Sequence, residues 1–114
     1  MVYSRIPKFC NLFFNFFRRT ENGSCFKDRV ENNRVHDPKR IAFFDAYMKQ
    51  VLKAKNEGAP VSGYFVWSLT DNFEWSEGYE PRFGLIHVDF KTQMRTIKDS
   101  GYWFQSFLSS KENE

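Results

Sequence analysis

Val61 to Leu69 is a near-continuous run of apolar β-formers with Gly63 inside it, and no other stretch restricts the fold as much. A strand wetted on one face alternates polar with apolar residues. One without that alternation is the kind buried on both faces, as in a parallel sheet. The residues upstream read as a helix. Asp37-Pro38 begins it, because Asp can cap free amide hydrogens and Pro suits the first helical position, where its missing N–H costs nothing. Ile41, Phe44, Tyr47, Met48, Val51 and Leu52 fall on one stripe at helical spacing, with Lys49, Lys53 and Lys55 on the solvated side. The helix should run to about Asn56, and Gly58 can take the left-handed conformation that stops it. Helix before strand suggests an α/β unit.

Downstream, Gly84 to Phe90 sets Ile86, Val88 and Phe90 against Leu85, His87 and Asp89, a short extended segment that Lys91-Thr92-Gln93 turns. His87, on the polar side, reads as a satisfied surface histidine without a role. Asp99 can cap a final helix whose Tyr102, Trp103, Phe104, Phe107 and Leu108 form a broad apolar face that has to dock on something. Upstream, Thr20 to His36 is polar, with Glu21-Asn22-Gly23 offering a turn and Arg29 to Arg34 a solvated charge run, so a long loop is expected there. Residues 1–19 differ in character, Phe-rich and without a clear period, and a boundary is placed before Thr20; 20–110 form the folded portion and 111–114 a polar tail.

The 114 residues suffice for one small domain, and 41% hydrophobic residues can furnish a core. The aromatic share, 19% with fourteen Phe, is heavy beside an ordinary 27% charged, which favours a globular chain over a disordered one. A net charge of +3 from 17 basic and 14 acidic residues is a weak field, so nucleic acid is not an expected partner. Cys10 and Cys25 have neither C-x-x-C nor metal-ligand spacing, so reduced thiols are the default. Phe9 to Phe17 follows Arg5 and Lys8 in the charge order of a signal peptide, but Asn11 and Asn15 interrupt it and no cleavage pattern follows. It is too short to span a bilayer. A cytoplasmic protein is expected, with secretion as the alternative, and Asn22-Gly23-Ser24 is read as an accidental glycosylation sequon.

Chemistry concentrates in Trp67-Ser68-Leu69-Thr70-Asp71-Asn72-Phe73-Glu74-Trp75. Two indoles bracketing a carboxylate, beside an amide, can hold a sugar ring by stacking on its apolar face and hydrogen-bonding its hydroxyls. Taken alone, Trp residues are more often core and Glu74 would be a solvated loop charge. Together with Thr20-Glu21-Asn22-Gly23, Gly78-Tyr79, Arg82-Phe83-Gly84-Leu85, Val88-Asp89 and Lys98-Asp99-Ser100-Gly101-Tyr102-Trp103, however, the run resembles glycoside hydrolase family 1, the β-glucosidase family, from Thr20 to about Leu108.

The resemblance implies an α/β fold, about the last two βα units of a TIM (β/α)8 barrel, with Thr-Glu-Asn-Gly ending strand seven and the Trp-rich run ending strand eight. By it, Glu21 looks like the nucleophile of a retaining glycosidase, although a surface Glu in a turn is the ordinary reading of that residue by itself. Trp67 looks like the platform for the non-reducing glucose ring, Glu74 like the carboxylate gripping two of its hydroxyls, and Trp75 like an indole donor to another. Phe83 matches an aromatic closing the pocket, with core packing the alternative. An acidic Glu74 would repel a phosphate, so an unphosphorylated β-glucoside or oligosaccharide is the substrate implied; no cofactor, metal or membrane is. Retention needs a second carboxyl roughly 5 Å from the nucleophile, which the family takes from an Asn-Glu-Pro motif on an earlier strand. This sequence has none. A full barrel takes roughly 250 residues, so the chain looks like a C-terminal piece, inactive alone, whose partner would be the N-terminal part of the barrel. A non-catalytic carbohydrate-binding fragment or a pseudogene product is the rival reading.

Overall fold

The computed structural model of the chain describes the backbone of residues 17–73, 78 and 80–112, and their side chains except at 17–21, 111 and 112. In order the elements are β1 (Phe17–Asn22), α1 (Pro38–Asn56), β2 (Val61–Val66), β3 (Ile86–Val88), β4 (Arg95–Ile97) and α2 (Asp99–Glu112). β1 and β2 pair in parallel, with Phe17 opposite Val61, Arg18 opposite Gly63, Arg19 opposite Tyr64 and Asn22 opposite Val66. The helix between them makes a strand–helix–strand crossover. The expected loop at Thr20 to His36 therefore starts later: Thr20, Glu21 and Asn22 finish a strand. Nothing in Phe-Arg-Arg-Thr-Glu-Asn alternates or runs apolar; pairing with β2 makes the strand.

The helix expected from Asp37 to Asn56 is present with Pro38 in its first turn. Gly58 sits at φ +99°, and the amides of Gly58 and Ala59 return to the carbonyls of Lys55 and Ala54, each at 3.0 Å, which closes the C-terminus. One expectation fails at the other end. Asp37 occupies the cap position but makes no side-chain cap bond, because its carboxylate serves the other helix: it accepts the Ser100 amide at 2.8 Å and the Ser100 hydroxyl.

The apolar stripe of α1 is only partly used. Phe44 and Met48 are buried, whereas Leu52 is exposed, and a groove of about 210 Å³ opens between Met48, Val51, Leu52, Tyr64, Phe104, Phe107 and Leu108. Burial on both faces of the Val61 to Leu69 run is likewise not found: Phe65 in β2 is half exposed, and Leu69, beyond the end of the strand at Val66, is 67% exposed. Among the described residues β1 and β2 form a sheet of two strands, too narrow to cover either face.

β3 and β4 make an antiparallel hairpin pairing Ile86 with Ile97, His87 with Thr96 and Val88 with Arg95. Its turn is held by the Asp89 carboxylate, which accepts the Lys91 and Thr92 amides at 2.9 and 3.2 Å; those backbone bonds hold its pKa below the ordinary carboxylate value. The expected turn at Lys91-Thr92-Gln93 leads into β4, which has only three residues and no pattern of its own. His87 is no surface residue: it is buried, and its Nδ1 has no hydrogen-bond partner. Burial, then the nearby Arg82 charge, holds its pKa below the usual histidine value. Among the described residues no helix is long and apolar enough to cross a membrane.

Candidate active site

The two strand ends meet. The Trp67 amide, one residue past β2, donates to the Asn22 carbonyl at 2.8 Å, and the buried Asn22 accepts the Tyr64 hydroxyl at its Oδ1. Gly23 packs so closely that a Cβ there would stand 2.1 Å from the Trp67 carbonyl oxygen. Glu21, the second-last residue of β1, is thus one residue from a backbone bond to Trp67. The Trp67–Ser68 peptide is cis. Phe83 is brought to the same place, its carbonyl accepting the Ser68 amide at 3.2 Å; Trp67 and Phe83 are both partly buried. Asn72, the amide in the Trp-rich run, has a buried Oδ1 with no hydrogen-bond partner. The side chain of Glu21, and Glu74 and Trp75 entirely, lie outside the described residues.

Beneath these loops lies a cluster that reading the residues one by one did not find: Asp28, Asp37 and Asp71 interleaved with Arg40, Arg82 and Lys98. All are buried to within 2% exposure at the side chain except Arg82, at 20%. Six charges in low dielectric are tolerable only when each is paired and hydrogen-bonded, and here the acids and bases balance. The Arg40 guanidinium grips both oxygens of Asp28 at 3.0 and 2.8 Å, the Asp37 carboxylate at 2.6 Å and the Arg82 carbonyl at 2.7 Å. Burial opposes its charge, but the hydrogen bonds to Asp28 and Asp37 outweigh that and raise its pKa.

Asp71 lies inside the Trp-rich run. Its Oδ1 accepts the Lys98 ammonium at 2.8 Å and the Gly84 amide at 3.0 Å. Its Oδ2 accepts Arg82 at 2.7 Å and the Val88 amide at 3.3 Å. Burial by itself would raise the Asp71 pKa; the bonds from Lys98, Arg82 and Gly84 reverse that and hold it below the ordinary carboxylate value. Arg82 also donates to the Val88 carbonyl at 2.8 Å and lies over the Phe90 ring. A signal for the cluster was available in the sequence: Arg40, Phe44 and Met48 recur every fourth residue, so Arg40 shares the buried face of α1. Nearer the surface, Asp99 holds His36 at 2.6 Å and Arg34 at 3.0 Å, and these two lower its pKa.

Comparison with known proteins agrees with this geometry. A family model described as glycosyl hydrolase family 1 matches residues 15–113. Beta-glucosidase A of Thermotoga maritima is 54% identical over 92 residues, which is 80% of this chain and 21% of that protein. A 6-phospho-beta-galactosidase of Clostridium acetobutylicum is 48% identical over 93 residues, 82% of this chain and 20% of that one. Among solved structures, the family 1 β-glucosidase from Thermotoga maritima superposes with a TM-score of 0.89 at 47% identity, covering 94% of this chain and 25% of the other. The chain spans about a fifth of the length of the curated relatives it matches.

Proposed function

The chain belongs to glycosyl hydrolase family 1 and forms a C-terminal portion of that family's (β/α)8 barrel, and on that footing we propose that it carries the nucleophile and half of the glucose subsite of a retaining β-glucosidase. The observation that supports this most is the abutment of the two strand ends through the Trp67 amide, the Asn22 carbonyl and Gly23. In this reading the Glu21 carboxylate bonds to the anomeric carbon as the glycosidic C–O bond breaks. A second carboxyl protonates the departing oxygen, and water then hydrolyses the glycosyl ester. Trp67 stacks under the ring, Glu74 and Trp75 take its hydroxyls, and Phe83 lines the pocket wall. The second carboxyl has no candidate motif in the 114 residues, so it would come from the earlier strands of the barrel, and the 114 residues by themselves do not turn a glycoside over. The family portion centres on residues 20–110, and the family match carries it out to 15–113.

The relatives include a 6-phospho-beta-galactosidase nearly as similar as the β-glucosidases, so overall identity does not choose the sugar. Glu74 does, since its carboxylate would repel a phosphate held in the same pocket. A cytoplasmic setting suits the exposed free thiol of Cys25.

The test joins the chain to the complementary N-terminal portion of the Thermotoga maritima enzyme and treats the product with a dinitrophenyl 2-deoxy-2-fluoro-β-glucoside. Its leaving group departs without protonation, so only the nucleophile is probed. The expected product is one fluoroglucosyl ester on Glu21, absent in Glu21→Gln. A label elsewhere, or cleavage of the 6-phospho-β-galactoside in preference to the glucoside, overturns the reading. Cellobiose binding to a joined protein that never becomes labelled would favour the binding-only alternative.

A further inference from the structure

The buried cluster sets Asp28, Asp37 and Asp71 against Arg40, Arg82 and Lys98, three charges of each sign. His87 stands beside it. It lies in β3 opposite Thr96, it is buried, and its Nδ1 has no hydrogen-bond partner. The charges that act on the ring come from several segments: Arg82 ahead of β3, Asp71 from the loop after β2, Lys98 past β4 and Asp28 from the loop after β1. Asp89, just past β3, also feels it. The next residue, Val88, is tied to this corner at both backbone groups. Its amide donates to Asp71 at 3.3 Å and its carbonyl accepts Arg82 at 2.8 Å, while Arg82 itself grips Asp71 at 2.7 Å.

A neutral imidazole leaves the balance of charge intact. A protonated one adds a fourth cation to three acids, repels Arg82, and leaves Nδ1 as a buried N–H with no acceptor. Asp71 follows Trp67 by four residues in the same loop, so what weakens its anchors frees that loop. We propose that His87 makes the anchorage of the Trp67 loop proton-sensitive: the corner of Arg82, Asp71 and Val88 holds while the ring is neutral and loosens when it is charged. The proposal rests on the reading above only for what the loop carries, and under that reading the glucose subsite is held firmly only above mildly acidic pH. The sign follows from burial and Arg82, which keep the ring's pKa below the ordinary histidine value. A loosened or unfolded corner takes the proton first, so the anchorage is complete above about 6.5. It is lost as pH falls through the lower folded value, by at most about tenfold in the opening constant per pH unit.

Hydrogen exchange in the full chain tests this. The amides of Gly84 and Val88, which both donate to Asp71, report the corner, and the amide of Met48 within α1 reports the molecule as a whole. Between pH 7.5 and 5.5, after correction for the pH dependence of free amides, protection at Gly84 and Val88 is expected to fall severalfold while Met48 holds. His87→Gln and His87→Phe cannot be charged and are expected to show no fall. His36→Gln should respond as the parent does, because that histidine lies against Asp99. No fall in the parent, an equal fall in either uncharged variant, or an equal fall at Met48 overturns the proposal. Should neither variant fold, the parent's two imidazole titrations decide: one must lie below 6.5 and move the Gly84 and Val88 amide resonances with it, and otherwise the proposal fails. No sugar is present, so the outcome is independent of whether Glu21 takes the fluoroglucosyl label.

Discussion

Substituting Ala for Gly23 puts one methyl group where the two strand ends touch. The new Cβ would lie 2.1 Å from the Trp67 carbonyl oxygen and 3.1 Å from its carbon, whereas real Cβ atoms essentially never approach below 3.0 Å. Both neighbours are backbone, so no rotamer change relieves the contact and the strands must part by close to 1 Å. Overpacking of this kind costs about 1–3 kcal/mol. Parting also stretches the 2.8 Å bond from the Trp67 amide to the Asn22 carbonyl, worth about 1 kcal/mol. The expected loss is therefore about 2–4 kcal/mol, and because each kcal/mol moves Tm roughly 4–8 °C in a domain of this size, melting should fall by at least about 8 °C. Gly58→Ala is the control. It sits at φ +99° with nothing within 4 Å of its Cβ position, so it bears backbone strain alone, about 1–2 kcal/mol. Thermal melts followed by circular dichroism compare the two, and a Gly23→Ala loss no larger than that of Gly58→Ala would refute the claim that the strand ends are in contact there.

Arg40→Met takes the guanidinium from Asp28 and Asp37 while Lys98 and Ser100 stay in place, so the cost should lie near the lower end of the roughly 3–5 kcal/mol for orphaning a buried pair; urea unfolding that moves by less than about 1 kcal/mol would contradict it. The depressed Asp71 pKa predicts an acid limb in stability. The unfolded chain takes up that proton first, so the contribution is complete above the unfolded carboxylate value of about 3.9 and is lost as pH falls through the lower folded value. Asp71→Asn should be less stable at neutral pH and lose less than the parent on acidification; equal slopes in urea midpoints across that range would dispose of the linkage.

Helix α1, strand β2 and helix α2 were legible because each is written in a local pattern: a four-residue stripe, an unbroken β-forming run, a cap followed by aromatics. The family, too, was legible, since its motifs are contiguous. Strand β1 was not, because Phe17 to Asn22 has no period and becomes a strand by pairing with β2. Asp37 was placed correctly at the start of α1 yet caps α2 instead, drawn off by a serine 63 residues away. Phe65 and Leu69 show the opposite failing: their apolar pattern asks for burial that a sheet of two described strands does not supply.

Residue order alone marked α1, β2 and α2 and carried the motifs of glycosyl hydrolase family 1, because hydrophobic period and motif spacing act over a few residues. Tertiary structure alone decided that six charges, each of which reads singly as solvated, close into a buried cluster. The partners lie up to 70 residues apart, and a carboxylate or an ammonium carries no local mark of whether its counterion will be water or another side chain.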